Sequence, residues 1–158
     1  MSRPAAVVRP VLLAGALALV LTGTLTACVQ GETDGGLGPD PMAPFGPVLG
    51  QPLVATRVDS DVAPADADVR LTFDTADGTG SVSGSAGCNT LFADASVEDD
   101  VLSVGPVGGT EMACPGRPFD ADVWLSDLLT GSPTVEVVGT QVTLRTDSDV
   151  VVLSPVEE

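Results

Sequence analysis

The sequence predicts a mainly β (α+β) fold in which antiparallel strands are accompanied by a single helix. Short segments of alternating apolar and polar residues recur between residues 51 and 156, and glycine-containing turns separate them. One segment has helical spacing instead. Because the strands follow one another without the intervening helices of a parallel sheet, we expect the sheet to be antiparallel.

Residues 1–27 have the parts of a bacterial lipoprotein signal peptide. Arg3 and Arg9 precede an apolar stretch at residues 11–21, which is too short for a comfortable transmembrane helix. The segment ends in Leu-Thr-Ala followed by Cys28, which resembles a lipobox, the pattern whose cysteine is lipidated. Two acyl chains on Cys28 would anchor the exported protein to the outer face of a bacterial cell membrane. The alternative is a secreted protein in which Cys28 is incidental.

Residues 28–50 are predicted to form a tether between the lipidated cysteine and the folded domain. The segment is rich in glycine and proline and has neither helical nor strand periodicity. A segment of this composition is expected to bury too little apolar surface to offset the entropy of ordering it. As a coil it would span roughly 25 Å. The folded domain is therefore expected to occupy residues 51–156.

The first part of the domain contains five predicted strands. They are residues 52–58, 69–74, 80–85, 91–97 and 101–107. In the second strand Leu71 and Phe73 alternate with polar residues, which predicts a core-facing side. Gly78 lies in a turn after this strand, where glycine can adopt positive φ. The glycines of the third strand indicate a bulge or a close approach of two backbones.

The helix is predicted at about residues 119–130. Asp120 lies in its first turn, where a carboxylate interacts favourably with the helix dipole, and Gly131 is expected to help end the helix. An apolar stripe at helical spacing predicts its buried face, which comprises Ala121, Trp124, Leu125, Leu128 and Leu129. We expect the only tryptophan, Trp124, to fill the core; the alternative is a residue that stacks on a ligand.

Two further strands and a final strand close the domain. Residues 135–137 and 142–144 are separated by Gly139-Thr140, a glycine-first pair that favours a type II′ hairpin turn. Residues 150–153 form a continuous apolar run, which predicts a buried last strand.

Two cysteine-containing motifs lie between these elements. They are GSAGCNT at residues 84–90 and TEMACP at residues 110–115. Together with Leu71-Thr72-Phe73, Leu102, Trp124-Leu125 and Val142-Thr143-Leu144, they resemble the META domain, or HslJ-like, family of small exported β-rich domains. The resemblance covers residues 71–153 and implies a small antiparallel β-barrel-like fold with one helix. Many relatives have a tryptophan in the first strand where this chain has Pro52-Leu53, so the register of that strand stays open.

The resemblance also singles out individual residues of the two motifs. The family-motif residues are Gly87, Asn89, Thr110, Glu111 and Met112. Cys88 and Cys114 form an even pair in an exported chain, which favours a disulfide over two buried free thiols. Met112 is expected to be buried beside this disulfide. Asn89, the only asparagine, is expected in a tight turn or at a strand end, and the direction of Glu111 stays open.

Several classes of chemistry are disfavoured by the composition. The chain has no histidine, and all six of its basic residues are arginines, so it lacks the groups that activate most nucleophiles or form Schiff bases. The net charge of −16 disfavours nucleic-acid binding. The acids Asp94 and Glu98–Asp100 could offer oxygens to calcium, but they lack EF-hand spacing and fit a solvated hairpin tip. We expect no catalytic residue, metal or cofactor.

The sequence therefore predicts a non-catalytic, membrane-anchored envelope lipoprotein. The family resemblance implies a loose association with envelope stress and drug resistance. Its expected partners are the membrane, through lipid on Cys28, and an envelope protein or small ligand. The alternatives are a carrier of a small apolar ligand, since closed barrels can hold one, and an inhibitor of a secreted enzyme.

Overall fold

The computed structural model describes residues 39–114 and 117–156. The predicted signal peptide, Cys28 and the first part of the predicted tether lie outside this range. The elements are a 3₁₀-helix at Ala43–Val48, nine strands and one α-helix, α1, at Arg117–Thr130. The strands are β1 (Leu53–Ser60), β2 (Arg70–Ala76), β3 (Thr79–Ser85), β4 (Leu91–Glu98), β5 (Val101–Val104), β6 (Gly108–Gly109), β7 (Thr134–Val138), β8 (Gln141–Arg145) and β9 (Asp149–Pro155).

Eight of these strands form a closed antiparallel barrel. The order around it is β3-β2-β1-β9-β8-β7-β5-β4, and β4 pairs with β3 to close the circle. The short strand β6 pairs with the first two residues of β4, on the edge opposite β3. The mainly β, antiparallel fold with one helix is therefore confirmed. Closure also pairs the strand edges that an open sheet would leave free.

The hairpin turns agree with the turn residues of the sequence. Asp77 and Gly78 both have positive φ, at 52° and 77°, as a type I′ turn requires. Asp99 and Asp100 have φ of 50° and 61° and form a second such turn between β4 and β5. Gly139 has φ of 63°, in keeping with the expected glycine-first turn.

The first strand lies between β2 and β9. Leu53 pairs with Leu71 on one side and with Pro155 on the other, and a bulge falls between Ala55 and Arg57. This settles the register that the sequence left open. The expected strand at residues 101–107 is shorter than predicted, because β5 ends at Val104 and the chain leaves the sheet before β6.

The barrel interior and the inner face of α1 form one hydrophobic core. Leu71, Phe73, Leu125 and Leu128 are at most 2% exposed, and Trp124 is 6% exposed. The core positions predicted from strand and helix periodicity are thus buried. The α-helix begins two residues before the predicted start and ends at Thr130. The residue with left-handed backbone after it is Ser132, with φ of 55°, rather than Gly131.

The prediction that the tether extends to residue 50 is wrong. Residues 41–50 contain the 3₁₀-helix and pack against the barrel strands. Met42, Phe45 and Val48 of this segment are fully buried. These three side chains recur every third residue, which places them on one face of a 3₁₀-helix. The apolar surface that they bury offsets the ordering entropy that was expected to keep this segment as a coil. We call residues 41–50 the plug.

The plug is held by packing and by hydrogen bonds to the strands around it. The Phe45 ring stacks on Phe73 of β2 with a centroid distance of 3.9 Å. The Val97 amide donates to the Pro41 carbonyl at 2.7 Å, and the Gly50 amide donates to the Phe73 carbonyl at 2.8 Å. A Cβ atom at Gly80 of β3 would lie 2.6 Å from the Met42 Cγ atom, so glycine permits the close approach.

Candidate functional site

A disulfide joins the two sequence motifs. Cys88 and Cys114 are bonded, with their Cα atoms 6.2 Å apart, which confirms the pairing expected from the sequence. The bridge connects the segment after β3 to the segment that enters α1. Closing a loop with a sequence separation of 26 residues stabilises the fold by about 3.5 kcal/mol in the chain-entropy model.

Asn89 connects three segments beside this disulfide. Its Oδ1 atom accepts hydrogen bonds from the Met112 amide at 2.8 Å and from the Thr110 hydroxyl at 3.0 Å. Its Nδ2 and backbone amide both donate to the Asp122 Oδ2 atom on α1, at 3.1 and 2.7 Å. Asn89 is 7% exposed. One buried amide side chain therefore ties the first motif to the second motif and to the helix. We call these residues the Asn89 cluster.

Of the two positions expected for Asn89, a tight turn or a strand end, the structure gives the second, because Asn89 lies two residues before β4. Its backbone φ is not positive, and the residue of this segment that adopts positive φ is Gly87, at 139°. Asn89 does not shape a tight turn; its side chain supplies an acceptor and donors to groups that are distant in sequence. Asp122 was not predicted as part of any site. Its Oδ1 atom is buried and has no hydrogen-bond partner within the described residues.

Two motif residues point away from the core. Met112 is 54% exposed, so the expectation that it is buried beside the disulfide is wrong. The Met112 backbone, which donates to Asn89 and accepts from the Cys114 amide at 3.0 Å, explains its place in the cluster. Glu111 is also exposed. This part of the second motif therefore contributes backbone groups to the Asn89 cluster and leaves two side chains at the surface.

A second buried polar contact joins α1 to the barrel. The Trp124 indole Nε1 donates to Asp149 Oδ1 at 2.9 Å, at the first residue of β9. The other carboxylate oxygen accepts from the Ser148 hydroxyl at 2.6 Å and from the Thr146 hydroxyl at 3.1 Å. Asp149 is 6% exposed. Both of its oxygens are satisfied, so the carboxylate fixes the tryptophan ring and the β8–β9 turn.

The hydrogen bonds around Asp149 favour its ionised form. Burial raises the pKa of the Asp149 carboxyl, but the surrounding hydrogen bonds outweigh burial and hold the pKa below its usual value. The donors are Ser148, Ser60, Trp124 and Thr146. Asp149 therefore carries a negative charge at neutral pH. Sequence reasoning missed this residue because two of its partners, Trp124 and Ser60, come from elements that are distant in sequence.

A surface groove runs between α1 and the β8–β9 turn. Its volume is about 880 Å³, within the range of roughly 300–1,000 Å³ that ligand sites occupy. Trp124, Leu128 and Val123 line the helix side, residues 145–149 line the opposite side, and Val62 also contributes to the lining. Val62 is 69% exposed and Val123 is 46% exposed. We call this feature the helix groove.

The helix groove is predominantly acidic. The described residues that line it include four carboxylates, Asp120, Asp127, Asp147 and Asp149, and one cation, Arg145. Among the described residues, Arg57 and Arg70 form ion pairs with neighbouring aspartates, whereas Arg145 forms none. The groove thus combines exposed aliphatic side chains with an excess of carboxylates.

The acids that could have offered a calcium site lie apart from the helix groove. Asp99 and Asp100 form an exposed hairpin turn, as the solvated reading of this segment predicted. In residues 39–114 and 117–156 there is no group of three or more histidine, cysteine, aspartate or glutamate residues arranged to hold a metal ion.

The protein is a compact β-rich domain. It combines a small closed barrel, one covering helix and a disulfide between the GCN and TEMAC segments. The family model of the META domain matches residues 48–158. This protein therefore belongs to the META domain family, as the two motifs indicated. The match begins inside the plug, so the folded unit starts several residues earlier than the matched segment.

Solved structures share the fold. The protein is similar to a Burkholderia xenovorans protein whose structure was determined by NMR, with a TM-score of 0.57 and 24% identity over 78% of this chain and 94% of that chain. A second NMR structure matches with a TM-score of 0.50 and 20% identity, covering 66% of this chain and 88% of that chain. These likenesses show the barrel fold. No curated protein matches the chain.

Proposed function

We propose that the protein is a non-catalytic lipoprotein of the bacterial envelope, anchored through lipid on Cys28 and acting in envelope maintenance or stress tolerance by binding a partner. The observation that carries the proposal is the Cys88–Cys114 disulfide. Disulfides persist in exported proteins and are rare in reducing compartments, so the bridge supports the export that the signal sequence predicts. Within the described residues, no helix has the length and hydropathy to cross a bilayer.

The plug shortens the link between the proposed anchor and the domain. Pro39 is the first described residue, and ten residues separate it from Cys28. If this segment were fully extended, it would span at most about 40 Å. The barrel would therefore stay close to the membrane surface. Removal of Arg3 and Arg9 with the signal peptide would change the net charge from −16 to −18, which keeps the exposed surface strongly acidic.

The filled core favours binding at the surface over carriage of a ligand inside the barrel. Phe45, Met42 and Val48 of the plug occupy the interior together with side chains of the strands. These side chains fill space that a carrier would need for an apolar ligand. A partner is thus expected to bind an outer surface.

Anchoring is tested by the Cys28→Ser variant. We expect this variant to lose incorporation of labelled fatty acid and either to leave the membrane fraction or to accumulate as the precursor. Cys88→Ser is the control, because it removes a disulfide-bonded cysteine of the folded domain and leaves Cys28 in place, so it should keep the lipid label. Unchanged labelling of Cys28→Ser would contradict the proposal.

A further inference from the structure

We propose that the helix groove binds a cationic peptide segment that carries aliphatic side chains. The groove extends along α1 from Asp120 to Gly131. At 1.5 Å per residue this distance is about 16 Å, enough for about five residues of extended peptide. This binding does not require the lipid anchor, so it can be tested separately from the proposed function.

The aliphatic part of the site is preformed and exposed. Val62 and Val123 are the exposed large apolar residues that line the groove. Next to Val123, the hydrogen bond from Trp124 to Asp149 holds the indole ring in place. A ligand that covered the two valines would remove apolar surface from water without requiring the protein to rearrange.

The charges of the groove select a cation. Asp120 and Asp127 are exposed on the helix, and Asp147 is exposed on the β8–β9 turn. Asp149, which also lines the groove, is ionised. Among the described lining residues Arg145 is the one opposing charge, and the carboxylates outnumber it, so a peptide with several lysines or arginines is complementary.

Nonspecific attraction is the main competing explanation, because the whole protein is acidic. The two explanations make opposite predictions for Val123→Asp. This change adds a negative charge, so nonspecific attraction predicts equal or tighter binding of a cationic peptide. Binding in the groove predicts weaker binding, because the aliphatic contact is lost. Val138→Asp is the matched control, since Val138 is 66% exposed and lies at the end of β7, outside the groove.

The experiment is titration of residues 29–158, which retain every described residue, with an amphipathic leucine-lysine peptide that lacks tryptophan. The readout is the fluorescence of Trp124, the only tryptophan of the chain, which lines the groove. We expect saturable binding that Val123→Asp weakens by about tenfold, the effect of losing one buried valine contact. Val62→Asp should weaken binding in the same direction, and Val138→Asp should not weaken it. A leucine-glutamate peptide of equal length should not bind.

The carboxylates are tested in the same assay. The double substitution Asp127→Asn and Asp147→Asn should weaken binding several-fold, whereas Asp77→Asn with Asp99→Asn removes equal charge from two hairpin turns and should have little effect. Circular dichroism checks that each variant is folded. The proposal is overturned if the leucine-lysine peptide does not bind, if Val123→Asp and Val62→Asp both bind it as tightly as the unmodified protein, or if both double substitutions weaken binding equally.

Discussion

Asn89 is one side chain that connects three segments of the chain. Its amide group satisfies the Met112 amide, the Thr110 hydroxyl and one oxygen of Asp122 in a buried position. Buried polar groups that lose their partners destabilise a protein more than the average hydrogen bond stabilises it. The only asparagine of the chain is therefore a structural residue, with the disulfide beside it.

Replacing Asn89 with alanine should lower the free energy of unfolding by about 2–4 kcal/mol, because several buried groups would lose their partners. Chemical denaturation measures the change. Thr90→Ala is the matched control: Thr90 is exposed and contributes backbone groups to this region, so its loss should change stability by no more than about 0.5 kcal/mol. Equal effects of the two substitutions would show that the cluster does not stabilise the fold.

The lowered pKa of Asp149 predicts that the folded protein loses stability at acidic pH. Its pKa is lower in the folded protein than in the unfolded chain, where it is about 3.9. The folded state then gains stability from the carboxylate above about pH 4 and loses that gain as the pH falls through the folded value. Asp149→Asn should therefore destabilise the protein by about 1–3 kcal/mol at pH 7 and by progressively less below pH 4.

The measurement is urea denaturation of both proteins between neutral and acidic pH. Asp147→Asn removes an exposed carboxylate from the same turn and serves as the control, with little change expected at any pH. A stability difference between Asp149→Asn and the unmodified protein that stays constant down to acidic pH would contradict the assigned role.

Residues in periodic segments could be placed from the sequence, whereas the polar contacts could not. The alternation around Leu71 and Phe73 predicted their burial because adjacent strand residues face opposite sides of a sheet. By contrast, Asn89 and Asp122 are 33 residues apart and meet only when the two motif segments and α1 pack together. No local pattern encodes such a contact. The burial of Met112 was predicted wrongly because its backbone, and not its side chain, makes the contacts of the motif.

The plug shows what periodicity can and cannot predict about an element. Its glycine and proline content masked an apolar repeat at every third residue, which is the spacing of a 3₁₀-helix and of neither an α-helix nor a strand. A search at that period would have found Met42, Phe45 and Val48. The same search would not have shown that these side chains pack inside a barrel, because the strands that surround them come later in the chain.

Phe45→Ala should destabilise the protein by about 3–5 kcal/mol, since it removes a fully buried ring that stacks on Phe73. Gly46→Ala is the matched control in the same short helix. A Cβ at Gly46 meets nothing within 4 Å and its φ is not positive, so this change should be nearly neutral. Thermal unfolding compares the two variants. If Phe45→Ala lowers the free energy of unfolding by less than about 1 kcal/mol, the segment does not contribute to the core and acts as a tether.

The sequence predicted the individual hairpins of the sheet but not the closure of the sheet into a barrel. Turn residues such as Gly78 and Gly139 fix local pairs, and these pairs define a mainly antiparallel fold. Closure depends on β1 pairing with β9 and on β5 pairing with β7, which are brought together from distant positions. The family resemblance supplied the barrel that local patterns could not. The same closure brings the helix, the β8–β9 turn and Val62 together around the helix groove.

The proposal that joins the fold to the function is that this META domain, whose two motifs are joined by the Cys88–Cys114 disulfide, is exported and anchored through Cys28. The intact mass of the protein, recovered from the cell envelope without reduction, is the measurement that decides this proposal. We expect the mass of residues 28–158, increased by a diacylglycerol group on Cys28 and decreased by the two hydrogens lost in the Cys88–Cys114 bond. A mass that corresponds to the chain from Met1 without lipid would contradict anchoring through Cys28, and a processed chain with free Cys88 and Cys114 thiols would contradict the disulfide.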